Sequence, residues 1–302
     1  MSSQVTTSFV EQYKSNVMTL VQQKGSRFRD SVVTDSAIVG KKTFVEQIGT
    51  TEAQVRTSRH ADSPMVDSPH LRRSLTLTDY EWGDMIDNAD RVRMLIDPTD
   101  AYAQNAAWAM SRAMDDVVVS AAFGTAYTGV TGSTSTVLPS TQKVAVDMVA
   151  AGTTGGGTDK GLNLGKLRAA REILGSNEVD PDEQLYCALN ANQLSNLLAI
   201  TEVTSSDYNS VKALVNGELD TFLGFKFILS ERLGVDSSDD QRVLCWAKSG
   251  LMLGLGKDVQ AQIAPRADKS FSTYIYFCMT IGATRLEEKK VVEIACDPTL
   301  AG

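Results

Sequence analysis

From Pro98 to Phe123 the chain runs without a glycine or a second proline, and nearly a third of that run is alanine. Asp97 is placed to cap a helix, Pro98 suits its first position, and Asp100 favours the positive end of the dipole. Gly124 suits the C-cap. At ~1.5 Å per residue the run makes a rod of roughly 39 Å. Tyr102, Ala106, Ala109, Ala113 and Val117 line one side, and Ala103, Ala107, Met110, Met114 and Val118 flank it. Small side chains along the whole length let neighbouring backbone come close. A rod of this kind acts as a spine, and the remaining chain must supply a sheet for it to cross.

The sequence after Gly217 supplies that sheet. Phe225 to Leu229, Arg242 to Ala247, Leu251 to Leu255, Val259 to Ile263, Tyr274 to Ile281 and Lys290 to Ala295 are all strand candidates. Between spine and sheet, a short apolar element (Val144 to Ala151) sits among Gly-, Ser- and Thr-rich stretches. A helix is predicted over Leu164 to Leu174, ending at Gly175, then a strand over Gln184 to Leu189. Asn190 can cap a helix over Asn192 to Ile200 with Gln193 in the capping-box position, and another short helix is predicted over Tyr208 to Val215. The fold class is α+β.

Ahead of the spine lie three different pieces. Val5, Phe9, Tyr13, Val17 and Val21 recur at spacing four, a narrow apolar stripe on a helix that Ser8 and Glu11 can box and Gly25 can stop. It precedes every core element, so it is expected to pack as an arm on something else. Short strands are predicted at Ser31 to Val33, Ala37 to Val39 and Phe44 to Ile48. Residues 51–74 then carry Pro64, Pro69 and the arginines Arg56, Arg59, Arg72 and Arg73, with almost no apolar periodicity. Such a piece cannot form a core of its own and reads as a long loop or a protruding hairpin.

With 302 residues and 42% hydrophobic content, a sizeable core is within reach. The formal charge of -8 sets the chain against a dedicated nucleic-acid binder. Arg72–Arg73 and Arg91/Arg93 are small clusters without aromatic interleaving. Cys187, Cys245, Cys278 and Cys296 each sit singly in apolar runs, as buried thiols in a reducing compartment do. No secretory signal is apparent, and no apolar run approaches the ~20 residues of a membrane span. The two histidines, His60 and His70, both lie in the polar loop, away from any helix end that would orient them. Gly152 to Gly161 is glycine-rich, but Lys160 precedes Gly161 where a phosphate loop needs Ser or Thr. Asp79, Glu81, Asp84, Asp87 and Asp90 lack a calcium-loop register and read as solvated, or paired with Arg91 and Arg93. No catalytic, cofactor or metal residues are assigned, and no enzyme activity is expected.

The order of arm, arginine- and proline-containing loop, acidic strand-like segment, spine helix, α/β middle and returning strands resembles the Hong Kong 97-type major capsid proteins of tailed double-stranded DNA phages. The segments Asp97 to Gly124, Asn216 to Leu233 (NGELDTFLGFKFILSERL) and Gly282 to Asp297 (GATRLEEKKVVEIACD) are similar to that family's spine, a passage of its axial domain and its closing strands. The resemblance implies an N-terminal arm and first strands over 1–50, with the arm at Ser8 to Gly25. An extended loop over 51–79, its body Glu52 to Leu77, lies on a neighbouring subunit. A peripheral domain over 80–183 holds the spine at 98–123, an axial domain spans 184–266, and return strands occupy 267–302.

The implied function is a self-assembling shell subunit, in hexamers and pentamers, enclosing double-stranded DNA without reading its sequence. Phe9, Tyr13, Val17, Arg56, Arg59, Arg72 and Arg73 are the expected intersubunit contacts. Implied partners are a separate scaffolding protein, a portal protein at one vertex and, outside, a decoration protein; no cofactor and no membrane are implied. Synthesis in the bacterial cytoplasm and residence in the virion follow. Some relatives weld their shells through a loop lysine, but Thr50 to Asp79 contains none, so non-covalent contacts are expected. Two other classes stay open: another ring-forming virion component such as a tail or connector protein, and a soluble enzyme with a pocket near His60 or Asp84.

Overall fold

Alternating side chains on Gln241–Ala247 are buried on both faces, which makes this strand the centre of a six-stranded sheet. The computed structural model describes residues 22–36, 38–60, 62–63, 65–87, 99–150, 153–154, 159–199 and 221–298. The sheet order is Thr221–Phe222, Phe225–Leu229, Leu185–Leu189, Gln241–Ala247, Val291–Cys296, Lys143–Val144. The Leu185–Leu189 strand runs parallel to Phe225–Leu229 and antiparallel to Gln241–Ala247. A parallel pair needs a crossover, and the helix Ala191–Ala199 lies in that connection.

On one face Val243 and Cys245 join Leu185, Cys187, Val292 and Ile294 beneath Leu167, Ala170 and Leu174 of the helix Leu164–Ser176. On the other, Trp246 stacks on Tyr186 at 5.6 Å and donates its indole N–H to the Ser31 carbonyl at 3.0 Å. Asn163 caps the Leu164–Ser176 helix by accepting from the Lys166 amide at 2.9 Å. Asn190 caps the next helix as expected, accepting from the Gln193 amide at 2.9 Å. The Gln193 side chain does not complete a capping box. Its Oε1 accepts from the Leu162 amide at 2.8 Å and its Nε2 donates to Gln241 at 2.7 Å.

These elements belong to the larger of two units: Arg27–Thr78, Met114–Gly256 and Ile281–Gly302. It also holds an antiparallel sheet in the order Lys42–Ile48, His70–Thr76, Ala126–Thr128, Thr134–Thr136. Val33–Asp35 pairs in parallel with residues 252–254. The smaller unit is Met1–Ser26, Asp79–Ala113 and Lys257–Thr280. In it Trp82 meets Phe277 edge-on at 6.4 Å, and Lys24 lies over the Trp108 ring at 5.4 Å. On the neighbouring strands Thr78–Ile86 and Ser272–Arg285, the face away from Trp82 carries a polar ladder. Thr280 donates to Asp79 at 2.6 Å, Tyr276 hydrogen-bonds Glu81, and the Tyr274 hydroxyl lies over Gly83, where a Cβ would come within 2.2 Å.

Several elements differ from the sequence expectation. Leu251 to Leu255 and Val259 to Ile263 are one strand, Leu251–Arg266, because pairing with Ser272–Arg285 carries the backbone through Gly256. Ser31 closes a 3₁₀ turn, Arg29–Ser31, and the strand starts at Val33. Ile38 and Val39 are not in a strand. The Leu164 helix runs past Gly175 to Ser176, and the Val144 to Ala151 element divides into Lys143–Val144 and Met148–Ala150. The Tyr208 to Val215 helix, the Asp97–Pro98 cap, Asp90, Arg91 and Arg93 lie outside the described residues.

The long helix occupies Thr99–Phe123. Its buried stripe is Ala106, Met110, Met114, Val118 and Ala122, with Asp115 and Val119 beside it, whereas Ala109, Ala113 and Val117 are only half-buried. The expected face is therefore turned by about one residue. Ala106→Leu, at a fully buried position, is expected to cost about 1–3 kcal/mol by overpacking. Gln104→Ala on the exposed side should stay within about 0.5 kcal/mol. Urea denaturation of both variants checks this; equal losses would contradict the stripe. Tyr276 offers a spectroscopic test. Its hydrogen bond to Glu81 raises the phenol from its usual 10.0 to about 12. A tyrosinate titration should show that late ionisation in the wild type, and Glu81→Gln should move it back toward the ordinary value.

Candidate assembly surface

Strands Lys42–Ile48 and His70–Thr76 pair residue for residue, from Lys42 opposite Thr76 to Ile48 opposite His70. They form the stem of a hairpin whose long tip is residues 49–69. Gly49 donates its amide to the Pro69 carbonyl at 2.8 Å and closes the base of that tip. A Cβ on Gly49 would lie 2.7 Å from the Pro69 ring, so only glycine admits this approach. The described residues of the tip have no regular structure, and nearly all are exposed, Val55 at 88% and Met65 at 98%.

The four expected arginines separate into three environments. Arg56 and Arg59 are exposed on the tip, Arg56 donating to the Ser58 carbonyl at 3.0 Å. Arg72 is on the stem, paired with Glu46 across the ladder at 2.5 Å and stacked over the Phe44 ring at 5.4 Å. Arg73 corrects the sequence reading, because it is not a loop residue. Its side chain is 7% exposed, ion-paired with Glu288, and donates Nε to the Leu286 carbonyl at 2.8 Å. Strand alternation sends Arg72 outward and Arg73 into the subunit, a difference that adjacent positions in a supposed loop do not reveal. Phe9, Tyr13 and Val17 lie outside the described residues.

Arg73 leads to the residue that sequence reasoning missed. Arg285 is fully buried, and burial lowers its pKa. One Nη donates to the Ala122 carbonyl at 2.8 Å and the Gly124 carbonyl at 2.9 Å, the other to Thr136 at 3.0 Å. Its Nε is 3.5 Å from Glu288. One guanidinium thus serves the open carbonyls at the end of the long helix, ties in the Thr134–Thr136 strand and shares Glu288 with Arg73 on the hairpin stem. The signal in the sequence was an arginine three residues ahead of Glu288 in an otherwise apolar strand end.

The neighbouring helix carboxylates are also committed. Asp115, fully buried, accepts from the Arg27 amide at 3.1 Å and the Phe28 amide at 3.3 Å. Asp116 takes a two-point contact from Arg232, with Nε at 2.5 Å. Beside them is a cavity of about 460 Å³ walled by Val119, Phe123, Leu233 and Val235. Arg242 at its edge lies over Phe123 and 3.1 Å from Glu293. The lining holds no histidine or cysteine, and both His60 and His70 are exposed on the hairpin. Among the described residues no group of histidine, cysteine and carboxylates can hold a metal, and no helix is long and apolar enough to cross a membrane.

The mixed α+β fold resembles that of the Hong Kong 97-type phage capsid proteins, and comparison with known proteins agrees. A family model of phage capsid proteins matches residues 5–298, so the chain belongs to the phage capsid protein family, a family of virion structural proteins. The fold matches the capsid of cyanophage P-SCSP1u with a TM-score of 0.76 at 16% identity, over 98% of this chain and 95% of that one. It matches the capsid of Ralstonia phage GP4 at 0.72 and 10% identity, over 96% and 95%. For the capsid of cyanophage Pam1 the values are 0.67 and 13%, over 99% of each chain. No curated protein sequence matches the chain.

Removing the shared cation tests the geometry. Arg285→Met leaves the helix carbonyls without their donor and Glu288 with Arg73 as its cation, and should cost about 3–5 kcal/mol. Glu288→Gln should cost less and act locally, speeding amide exchange in Lys42–Ile48 and His70–Thr76 more than in Gln241–Ala247. Uniform acceleration across both sheets would show that Glu288 does not hold the stem.

Proposed function

We propose that this chain is the major capsid subunit of a tailed phage. Copies gather as hexamers and pentamers and close an icosahedral shell around double-stranded DNA, held without sequence-specific contacts. The observation that carries this reading is the stalked tip, where exposed Val55 and Met65 share one long loop with Arg56 and Arg59. A monomer gains nothing from such a loop, whereas each copy in a shell can set it on a neighbour.

In this reading residues 1–50 give the arm and first strands, 51–79 the extended loop, 80–183 and 267–302 the peripheral domain, and 184–266 the axial domain. The arm residues Phe9, Tyr13 and Val17 pack between subunits. A separate scaffolding protein guides closure, a portal protein occupies one vertex, and the outer surface offers a place for a decoration protein. The chain is made in the host cytoplasm. Negative-stain imaging of the protein alone and with a candidate scaffold tests the proposal: icosahedral particles are expected. Closed hexameric rings without pentamers or shells would overturn it in favour of a tail or connector component.

The loop acts through charge and apolar contact, since Thr50 to Asp79 has no lysine for a covalent weld. An exposed arginine–carboxylate pair contributes only ~0–1 kcal/mol, but assembly repeats it at every boundary. Arg56→Glu with Arg59→Glu should weaken particle formation and leave the subunit's melting temperature within about a degree or two, because surface changes cost little. Wild-type shells should loosen as salt rises, and denaturing gels of mature shells should show one band at the chain's mass. Normal assembly of the double variant, or a ladder of covalent multimers, would contradict this mechanism.

A further inference from the structure

Cys187 and Cys245 stand directly opposite one another on adjacent antiparallel strands, and their sulfurs are 3.4 Å apart. Both residues are fully buried in the core beneath the Leu164–Ser176 helix. Directly opposed residues of an antiparallel pair have Cα atoms about 4.5–5.5 Å apart. That lies inside the ~4.4–6.8 Å window a disulfide requires. Rotation about the Cα–Cβ bonds brings the sulfurs to the ~2.0 Å bond length with little backbone movement.

We propose that Cys187 and Cys245 form a site of oxidative modification, a cross-strand disulfide that closes when the protein meets a small-molecule disulfide outside a reducing cytoplasm. The other two cysteines have different partners, although Cys296 shares the same core. Cys278 is in the smaller unit, where Lys257 donates to its sulfur at 3.1 Å. Cys296 sits by Lys166, with burial pushing its thiol up to about 12.

The step balances as thiol–disulfide exchange. One cysteine gives its proton to water, and its thiolate attacks a sulfur of the small disulfide, releasing one small thiolate. The second cysteine, likewise deprotonated, displaces the other small thiolate and forms the Cys187–Cys245 bond. Two protein thiols are oxidised, and one small disulfide is reduced to two thiols. Burial raises the Cys187 pKa well above the ordinary thiol value, so the dithiol is inert while the sheet is closed. Reaction follows opening of the strand pair and quickens with temperature and alkalinity.

The bond joins the two ends of the stretch that contains the Ala191–Ala199 helix and the Phe225–Leu229 strand. It removes freedom from the unfolded chain and holds the sheet's central pair together.

The full-length protein is incubated with oxidised glutathione at mildly alkaline pH, once at ambient temperature and once just below its melting transition. Unfolding in N-ethylmaleimide then counts the remaining thiols. The expected result, at least in the warmer incubation, is two maleimides in place of the four that reduced protein takes, the chain having four cysteines. A linked Cys187–Cys245 peptide pair and a raised melting temperature reversed by dithiothreitol should accompany it. Cys187→Ser and Cys245→Ser should each remove the linked pair and the rise. Four maleimides in both incubations, retained glutathione on either residue, or a bond to Cys278 or Cys296 instead would overturn the proposal.

Discussion

A helix of 25 residues ends in carbonyls that no residue of the helix can satisfy, and here a buried guanidinium meets them. Burying a cation costs several kcal/mol unless its donors and its charge are both answered. Arg285 is answered by three carbonyls, by the negative end of the helix and by Glu288. Because Glu288 also pairs with Arg73, the charge balance that fixes the helix end also fixes the hairpin stem. Asp115 fastens the Phe28 turn to the same helix, and Trp246 reaches Ser31 at the end of that turn.

This arrangement explains how the subunit carries a long exposed loop without losing its own fold. The tip has few contacts of its own, yet its base is closed by Gly49 and Pro69, and its stem is tied to the core through Arg73. Ordering the tip costs conformational entropy that the monomer does not recover. In the assembly we propose, a neighbour supplies the apolar area and charge that offset this cost. The acidic average of the chain makes it poor at gathering DNA.

Strand existence was legible wherever side-chain chemistry was strong and local. FKFIL occupies Phe225–Leu229 as expected, and the core strand differs from its expectation by one residue, starting at Gln241. Caps were partly legible: Asn190 was recognised, but the Gln193 side chain was drawn away by Leu162 and Gln241, partners distant in sequence. The helix stripe was misplaced by one position because alanine and valine surround the rod. Periodicity could not show that Asp115 would be buried to cap another element.

By itself the sequence determined the α+β class, the long helix, the lysine-free loop and the lack of a catalytic constellation, since all of these follow from local propensity and residue type. It also placed four arginines in one polar stretch. Only the tertiary structure decided that Arg56 and Arg59 are exposed on the tip, that Arg72 stays on the stem and that Arg73 turns inward to Glu288. The reason is electrostatic. Glu288 lies three residues from Arg285, but a buried cation also needs its donors met, and Arg73's strand and the carbonyls of Ala122, Gly124 and Thr136 reach this pair only when the chain has folded.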